Sequence, residues 1–306
     1  MTFIHDRNFR LYREGISWSC AKEHLFCRFS SPAPLRDTRM LGTILGDIVG
    51  SPYEFRNHRS KAFQPLFHPR ARFTDDTVCT IGVADALLSG GDPTRVLQTW
   101  CLRYESNGGW GQRFSLWITA DDPRPYGSLG NGGAMRVSPA GLLAHSVDDA
   151  LTLATRVTEI THDHPDGLQA ACAVAAAIRW AREGLSGPRI RELVEAHFGY
   201  DLAADVATIR PGYQRTEAAA GSVPQAITCA LEATDFEDAL RNAVSIGGDS
   251  DTIAAIAGGI AEARFGIPPD IATTGWGLLP ADMREVLKRL YAAAGATLPT
   301  LKGASA

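Results

Sequence analysis

The chain has 306 residues, 45% of them apolar, with a formal charge of −4 and a pI of about 6.1. Length and apolar content predict a globular protein with a real core, in one large domain or two small ones. The mild acidity argues against a broad nucleic-acid footprint, and no apolar run is long enough to span a bilayer.

Residues 1–39 stand apart in composition. They carry seven Lys/Arg against four Asp/Glu, with scattered aromatics at Phe3, Phe9, Tyr12, Trp18, Phe26 and Phe29. They lack the continuous apolar stretch of a secretory signal, and four acids argue against a transit peptide. The segment reads as a loosely ordered tail, as an extension upstream of an effective start at Met40, or as a partner-docking arm. From Leu41 to Ser51 the spacing of Leu41, Ile44, Leu45 and Ile48 predicts one helical face. Gly42, Gly46 and Gly50, four apart, permit close helix packing, and Pro52 ends the run. Residues 55–72 read as loop. A helix is predicted from Thr74 to Leu88, closed by Gly90-Gly91. Another follows from Asp92-Pro93 to about Tyr104, with Asp as cap and Pro at the first position. Residues 107–111 read as a turn cluster and 121–133 as the longest turn-rich stretch.

Ser146-Val147-Asp148-Asp149 predicts a capped helix running to about Ile160. Thr161-His162-Asp163-His164-Pro165 interrupts it, and Asp166 is expected to cap the next helix, to Arg182. A helix near 190–197 sits in an otherwise weakly patterned stretch. Ser222 is expected to cap a helix to about Ala233, followed by helices over 236–246, 253–265 and 280–294. No alternating strand pattern and no fixed-period repeat appear. The reading is one all-α domain over residues 40–294, with a frayed tail at 295–306. Six cysteines (Cys20, Cys27, Cys79, Cys101, Cys172, Cys229) contain no Cys-x-x-Cys pair, and four lie in apolar helical runs. They predict buried, reduced thiols and a cytoplasmic protein.

Two stretches carry the chemistry. Thr74-Asp75-Asp76-Thr77 and Gly247-Gly248-Asp249-Ser250-Asp251-Thr252 each open an apolar helix with paired carboxylates beside threonine hydroxyls. One such start needs no function, because acids near a helix N-terminus complement its dipole, by up to about 2 kcal/mol. Two of them, with four acids between them, suit hard divalent ions, which prefer oxygen ligands. Gly127-Ser128-Leu129-Gly130-Asn131-Gly132-Gly133 is a glycine-rich loop feeding a helix, read either as a flexible loop or as backbone N–H groups offered to an anion. It matches neither a dinucleotide-binding fingerprint nor a P-loop. His162 and His164, two apart, lack the further Cys or His a zinc site needs.

These motifs, with Gly46-Asp47-Ile48-Val49-Gly50-Ser51-Pro52-Tyr53-Glu54 and Thr161-His162, occur in the order found in ADP-ribosylglycohydrolases. From Leu41 to about Ile271 the chain resembles that family, the group related to dinitrogenase reductase-activating glycohydrolase. The resemblance implies a compact multi-helix orthogonal bundle around a central binuclear metal cleft. It implies two Mg²⁺, with Mn²⁺ as the other candidate, held by Thr74, Asp75, Asp76, Asp249, Asp251 and Thr252. It implies substrate contacts at Asp75, Gly127, Ser128, Leu129, Gly130, Asn131, Gly132 and His162, and catalytic roles for Glu54, Asp76 and Asp249, with Glu54 as a gate or acid/base group. The implied reaction releases ADP-ribose from protein side chains or small-molecule conjugates, by attack of a metal-activated water at the ribose anomeric carbon. The leaving group (arginine, serine or nucleic acid) is left open. A phosphodiesterase is the alternative among two-metal enzymes. An ADP-ribose reader, or an immunity protein that contacts an ADP-ribosylating toxin through residues 1–39, is the alternative outside catalysis.

Overall fold

A computed structural model describes residues 41–296. The readings made for residues 1–39, including the docking arm and Cys20 and Cys27, lie outside the described residues, as does the tail beyond 296. Among the described residues the chain forms α-helices joined by turns, one short 3₁₀ turn and a single isolated bridge, Gly130 to Ala218. In order these are α1 (Leu41–Gly50), α2 (Asp75–Ser89), α3 (Pro93–Arg103), α4 (Gln112–Thr119), α5 (Gly132–Met135), α6 (Ser138–Leu143), α7 (Val147–Thr158) and α8 (Pro165–Arg182). There follow α9 (Gly187–Phe198), α10 (Val206–Gly212), α11 (Ala219–Glu232), α12 (Phe236–Ser245), α13 (Ser250–Phe265), α14 (Pro269–Gly277) and α15 (Ala281–Ala293). The all-α expectation holds.

The centre is α1 against α13. All ten residues of α1 are buried, so it has no solvent face and reads as uniformly apolar or small. Its glycines lie on the backbone of α13. A Cβ on Gly46 would stand 1.9 Å from the Ala254 carbonyl oxygen, and one on Gly50 2.4 Å from that of Ser250. The buried start of α1 still has donors to satisfy. Leu41 N donates to the Tyr291 hydroxyl at 2.9 Å and Gly42 N to Glu262 Oε2 at 2.6 Å.

Side-chain caps set the starts of six of the described α-helices. Asp92 accepts from Thr94 N at 3.0 Å to start α3, with Pro93 at the first position. Ser146 accepts from Asp149 N to start α7, and Asp149 reaches back to His145 N at 2.8 Å, one residue before the cap. Two expected caps are corrected. His164, not Asp166, starts α8: its Nδ1 accepts from Asp166 N, and Pro165 takes the first turn, where no N–H is needed. Ser222 lies inside α11, which begins three residues earlier, and its hydroxyl donates back to Ala218 O. Helix α10 falls in the stretch read as weakly patterned, and α4 and α14 form where no element was assigned. Helix α4 is held from outside: Gln98 Nε2 of α3 donates to the Trp117, Ile118 and Ala120 carbonyls at its C-terminus. Cys79, Cys101, Cys172 and Cys229 are buried free thiols, with Cys79 and Cys101 Sγ in contact at 3.9 Å. Among the described residues no helix is long and apolar enough to cross a membrane.

Candidate active site and metal centre

The two acid-bearing helix starts are brought together by α1. Asp47, fully buried, serves as the N-terminal cap of α2 from another helix. Its Oδ2 accepts from Thr74 N at 2.8 Å and Thr77 N at 3.1 Å, and both threonine hydroxyls donate to the same carboxyl group. Thr74 occupies the cap position yet makes no capping bond of its own. Burial pushes the Asp47 carboxyl up to about 6 even against these hydrogen bonds. On the other side, Gly247 (φ 71°) and Gly248 (φ 80°) turn the chain into α13 through left-handed backbone that glycine allows. Asn57 fixes this turn by accepting from Gly248 N at 2.8 Å, and Arg59 binds the Ile246, Arg210 and Tyr213 carbonyls. Asp249 stands at the cap position of α13 but does not cap it. Its Oδ2 accepts instead from Asn131 Nδ2 at 2.7 Å.

The result is one cleft of about 340 Å³, whose walls include Glu54, Asp75, Asp76, Asp249, Asp251 and Thr252. Carboxylate oxygens of Glu54, Asp249 and Asp251 lie within 4.8 Å of one another. The Thr252 hydroxyl donates to Asp76 Oδ2 at 3.2 Å, tying the second acid pair to the first. Burial and then repulsion from neighbouring acids raise Glu54, Asp75, Asp76 and Asp251. Burial followed by the Asp249 charge takes Glu54 to about 7, against an opposing pull from Arg215. Asp76 and Asp251 are raised well above the usual carboxylate range, by burial first and then by neighbouring acids, and Asp75 is raised by burial. Asp76 Oδ1 is buried without a hydrogen-bond partner among the described residues. An unpartnered buried acceptor among converging hard oxygen donors fits a divalent cation such as Mg²⁺ or Mn²⁺. Of the implied ligands, Thr74 lies just behind the cleft wall, its hydroxyl given to Asp47.

This charge crowding sets a pH dependence. Glu54 moves from its ordinary 4.5 to about 7 and Asp47 from 3.8 to about 6. Between about pH 4 and 7 the folded chain therefore holds more protons than the unfolded chain, and its stability falls as pH rises. With chelator present, the melting temperature measured by calorimetry is expected to drop steadily across that window, and Mg²⁺ added at pH 7.5 to restore it. A melting temperature that rises from pH 5 to 7 in chelator would contradict this reading of the cluster.

Opposite the acids lies the glycine-rich loop. Ser128, Gly130, Asn131, Gly132 and His162 line the same cleft. Gly127 and Leu129 do not. Gly127 N donates away to Asp163 at 2.6 Å, and Leu129 is largely exposed. The expected array of unshielded N–H groups is mostly engaged. Besides Gly127, Ser128 N donates to Thr161 O, Gly130 N to the Ser128 hydroxyl, and Asn131 N to Glu217 O. The glycines serve space instead: a Cβ on Gly132 would stand 3.1 Å from His162 Nε2. His162 is held from behind. Arg136, which can only donate, bonds the Thr161 hydroxyl at 2.6 Å, and that hydroxyl lies 2.7 Å from His162 Nδ1. The hydroxyl can accept from Arg136 while giving its proton to Nδ1, an arrangement that leaves Nε2 as the N–H facing the loop. Burial and the Arg136 charge lower the imidazole well below its usual range, so it is neutral.

Residues that sequence reasoning passed over complete the site. Asp47 and Asn57 sit within or beside a noted motif, but their partners are 27 and 191 residues away. Arg215 and Glu217 lie in a segment without periodicity. The Arg215 guanidinium donates to Glu54 Oε1 at 3.0 Å and Asp249 Oδ1 at 3.3 Å, and lies over the Phe55 ring at 4.8 Å.

Comparison with known proteins agrees with this architecture. The family model described as ADP-ribosylglycohydrolase matches residues 39–300. The chain belongs to the ADP-ribosylglycohydrolase family. It is 28% identical over 296 residues to ADP-ribosyl-[dinitrogen reductase] glycohydrolase of Rhodospirillum rubrum, covering 82% of this chain and 92% of that one. It is 26% identical over 309 residues to the mouse (Mus musculus) ADP-ribosylhydrolase ARH3, covering 74% and 83%. A solved structure titled ADP-ribosylglycohydrolase-related protein complex superposes with a TM-score of 0.64 at 26% identity, covering 83% of this chain and 96% of that one.

Proposed function

We propose that this chain is a divalent-metal-dependent hydrolase that releases ADP-ribose from ADP-ribosylated protein side chains or small-molecule conjugates, acting in the cytoplasm. The observation that carries the reading is the meeting of both acid pairs in one cleft, around the unpartnered Asp76 Oδ1 and facing the glycine loop. Asp75, Asp76, Asp249, Asp251 and Thr252 would hold two Mg²⁺ or Mn²⁺, with Thr74 behind them. Bound ions would supply Lewis-acid chemistry to the ribose hydroxyls and to water.

The remaining roles belong to the chain. Glu54, with a carboxyl near 7, is poised to take or give a proton close to neutral pH. It also borders the cleft mouth beside Arg215, where it can admit substrate. Asn131 orients Asp249 through a 2.7 Å hydrogen bond. His162, neutral and pinned through Thr161, presents an N–H to the sugar-diphosphate side of the cleft. Buried carboxylates near the anomeric carbon stabilise the positive charge that develops on bond cleavage.

The test is ADP-ribose release from a panel of defined arginine-, serine- and nucleic-acid-linked substrates during Mg²⁺ titration. Release is expected to saturate with Mg²⁺ on one linkage class and to stop in EDTA. Full turnover in EDTA, or by an Asp249→Ala variant, would exclude the metal mechanism.

A further inference from the structure

Asp249 and Glu54 already have a cation. Arg215 stands in the segment between α10 and α11, and its guanidinium touches three carboxylates: Glu54 at 3.0 Å, Asp249 at 3.3 Å and Glu217 at 3.5 Å. Glu54 and Asp249 both line the cleft proposed to hold the metal, and a carboxylate oxygen of each lies within 4.8 Å of the other and of Asp251. Glu217 lines the same cleft with its side chain 71% exposed, and Phe55, 77% exposed, stacks its ring under the guanidinium. The segment itself is anchored to the glycine loop by Asn131 N to Glu217 O and Ala219 N to Leu129 O.

We infer that Arg215 is a positioning residue that competes with a divalent ion for Asp249, and lets go of Asp249 and Glu54 while keeping Glu217 and Phe55 when the ion binds. A dication on the same oxygens would repel the guanidinium at short range, and a low local dielectric strengthens that repulsion. Release of Asp249 and Glu54 costs Arg215 little, because Glu217 and the Phe55 face remain as partners. Arg215 thus sets how tightly the ion is held, and holds the Glu54 carboxylate toward Asp249 until the ion arrives.

The inference rests on the metal-site reading, and the test separates the two. Mg²⁺ alone is titrated calorimetrically, without substrate, into the full chain and its Arg215→Gln and Arg215→Lys variants. The Gln variant is expected to bind Mg²⁺ about tenfold more tightly and to melt lower in chelator. The Lys variant, which keeps the charge, should stay near the parent. Equal or weaker Mg²⁺ binding by a folded Gln variant overturns the inference. Should that variant misfold, a Phe55→Trp reporter decides: Mg²⁺ should change the emission of the indole beneath Arg215, and no change overturns the displacement. A parent chain that binds no Mg²⁺ sinks the metal reading itself. One that binds it with the same affinity with or without the guanidinium sinks only this inference.

Discussion

Replacing Asp251 by Asn is expected to lower Mg²⁺-dependent ADP-ribose release by about a thousandfold while raising the melting temperature in chelator. Both effects come from one property. Asp251 is 3% exposed and lies within 4.8 Å of the Glu54 and Asp249 oxygens. Two unit charges about 5 Å apart repel by about 3 kcal/mol at an effective dielectric near 20. Asn keeps the shape and an Oδ1 to accept from Thr252 N, a 3.0 Å contact in the parent, but removes the charge. The chelated protein gains stability, and the site loses both an anionic ligand and the stabilisation that Mg²⁺ brings. Asp76→Asn should behave alike, since Asp76 is also buried among acids. Misfolding would move activity and melting temperature in the same direction, so the opposed signs are diagnostic. Turnover within tenfold of the parent would remove Asp251 from the proposed metal site.

What the sequence made legible was what neighbouring residues decide. Asp and Thr doublets before apolar helices mark both acid pairs, because each is a local signal with a local consequence at a helix start. The site's framework was not legible. Asp47 caps α2 across 27 residues and Asn57 holds the α13 turn across 191. Neither partnership has a spacing that a helix or turn imposes. Arg215 lacked even a helical context to single it out. The missed helices tell the same story. Helix α4 ends on Gln98 of α3, and α14 packs so closely on α1 that a Cβ at Gly275 would meet Leu45 at 2.0 Å. Short helices draw their stability from such packing rather than from propensity. The misplaced cap at Asp166 was a competition between polar residues two positions apart, whereas Ser222 lies inside a helix whose cap position, Ala218, has no capping side chain. Pro165 settled the first, since its fixed φ and missing N–H suit the first helical position.

Substituting Gly46 by Val is expected to destabilise the chain by about 3 kcal/mol or more and to weaken Mg²⁺ binding in whatever fraction still folds. The spacing of Gly42, Gly46 and Gly50 suggested only close packing, but the structure gives that packing a second consequence. One side of α1 lies on the α13 backbone through these glycines, while Asp47, next in sequence, grips Thr74 and Thr77 at the start of α2. A single ten-residue helix thus fixes the distance between Asp75/Asp76 and Asp249/Asp251. A Cβ at Gly46 would stand 1.9 Å from a backbone oxygen, which no rotamer change relieves, so the helices must separate. Gly46→Ala should show the same defect in smaller measure. Gly277→Ala, at the end of α14 with nothing within 4 Å, should leave stability and Mg²⁺ affinity unchanged or slightly improved. Thermal melts and Mg²⁺ titration of the three variants read both effects. If Gly46→Val melts like the parent, α1 does not set the spacing of the acids; if it melts lower but binds Mg²⁺ as tightly as the parent, the acid pairs are held together by something other than α1.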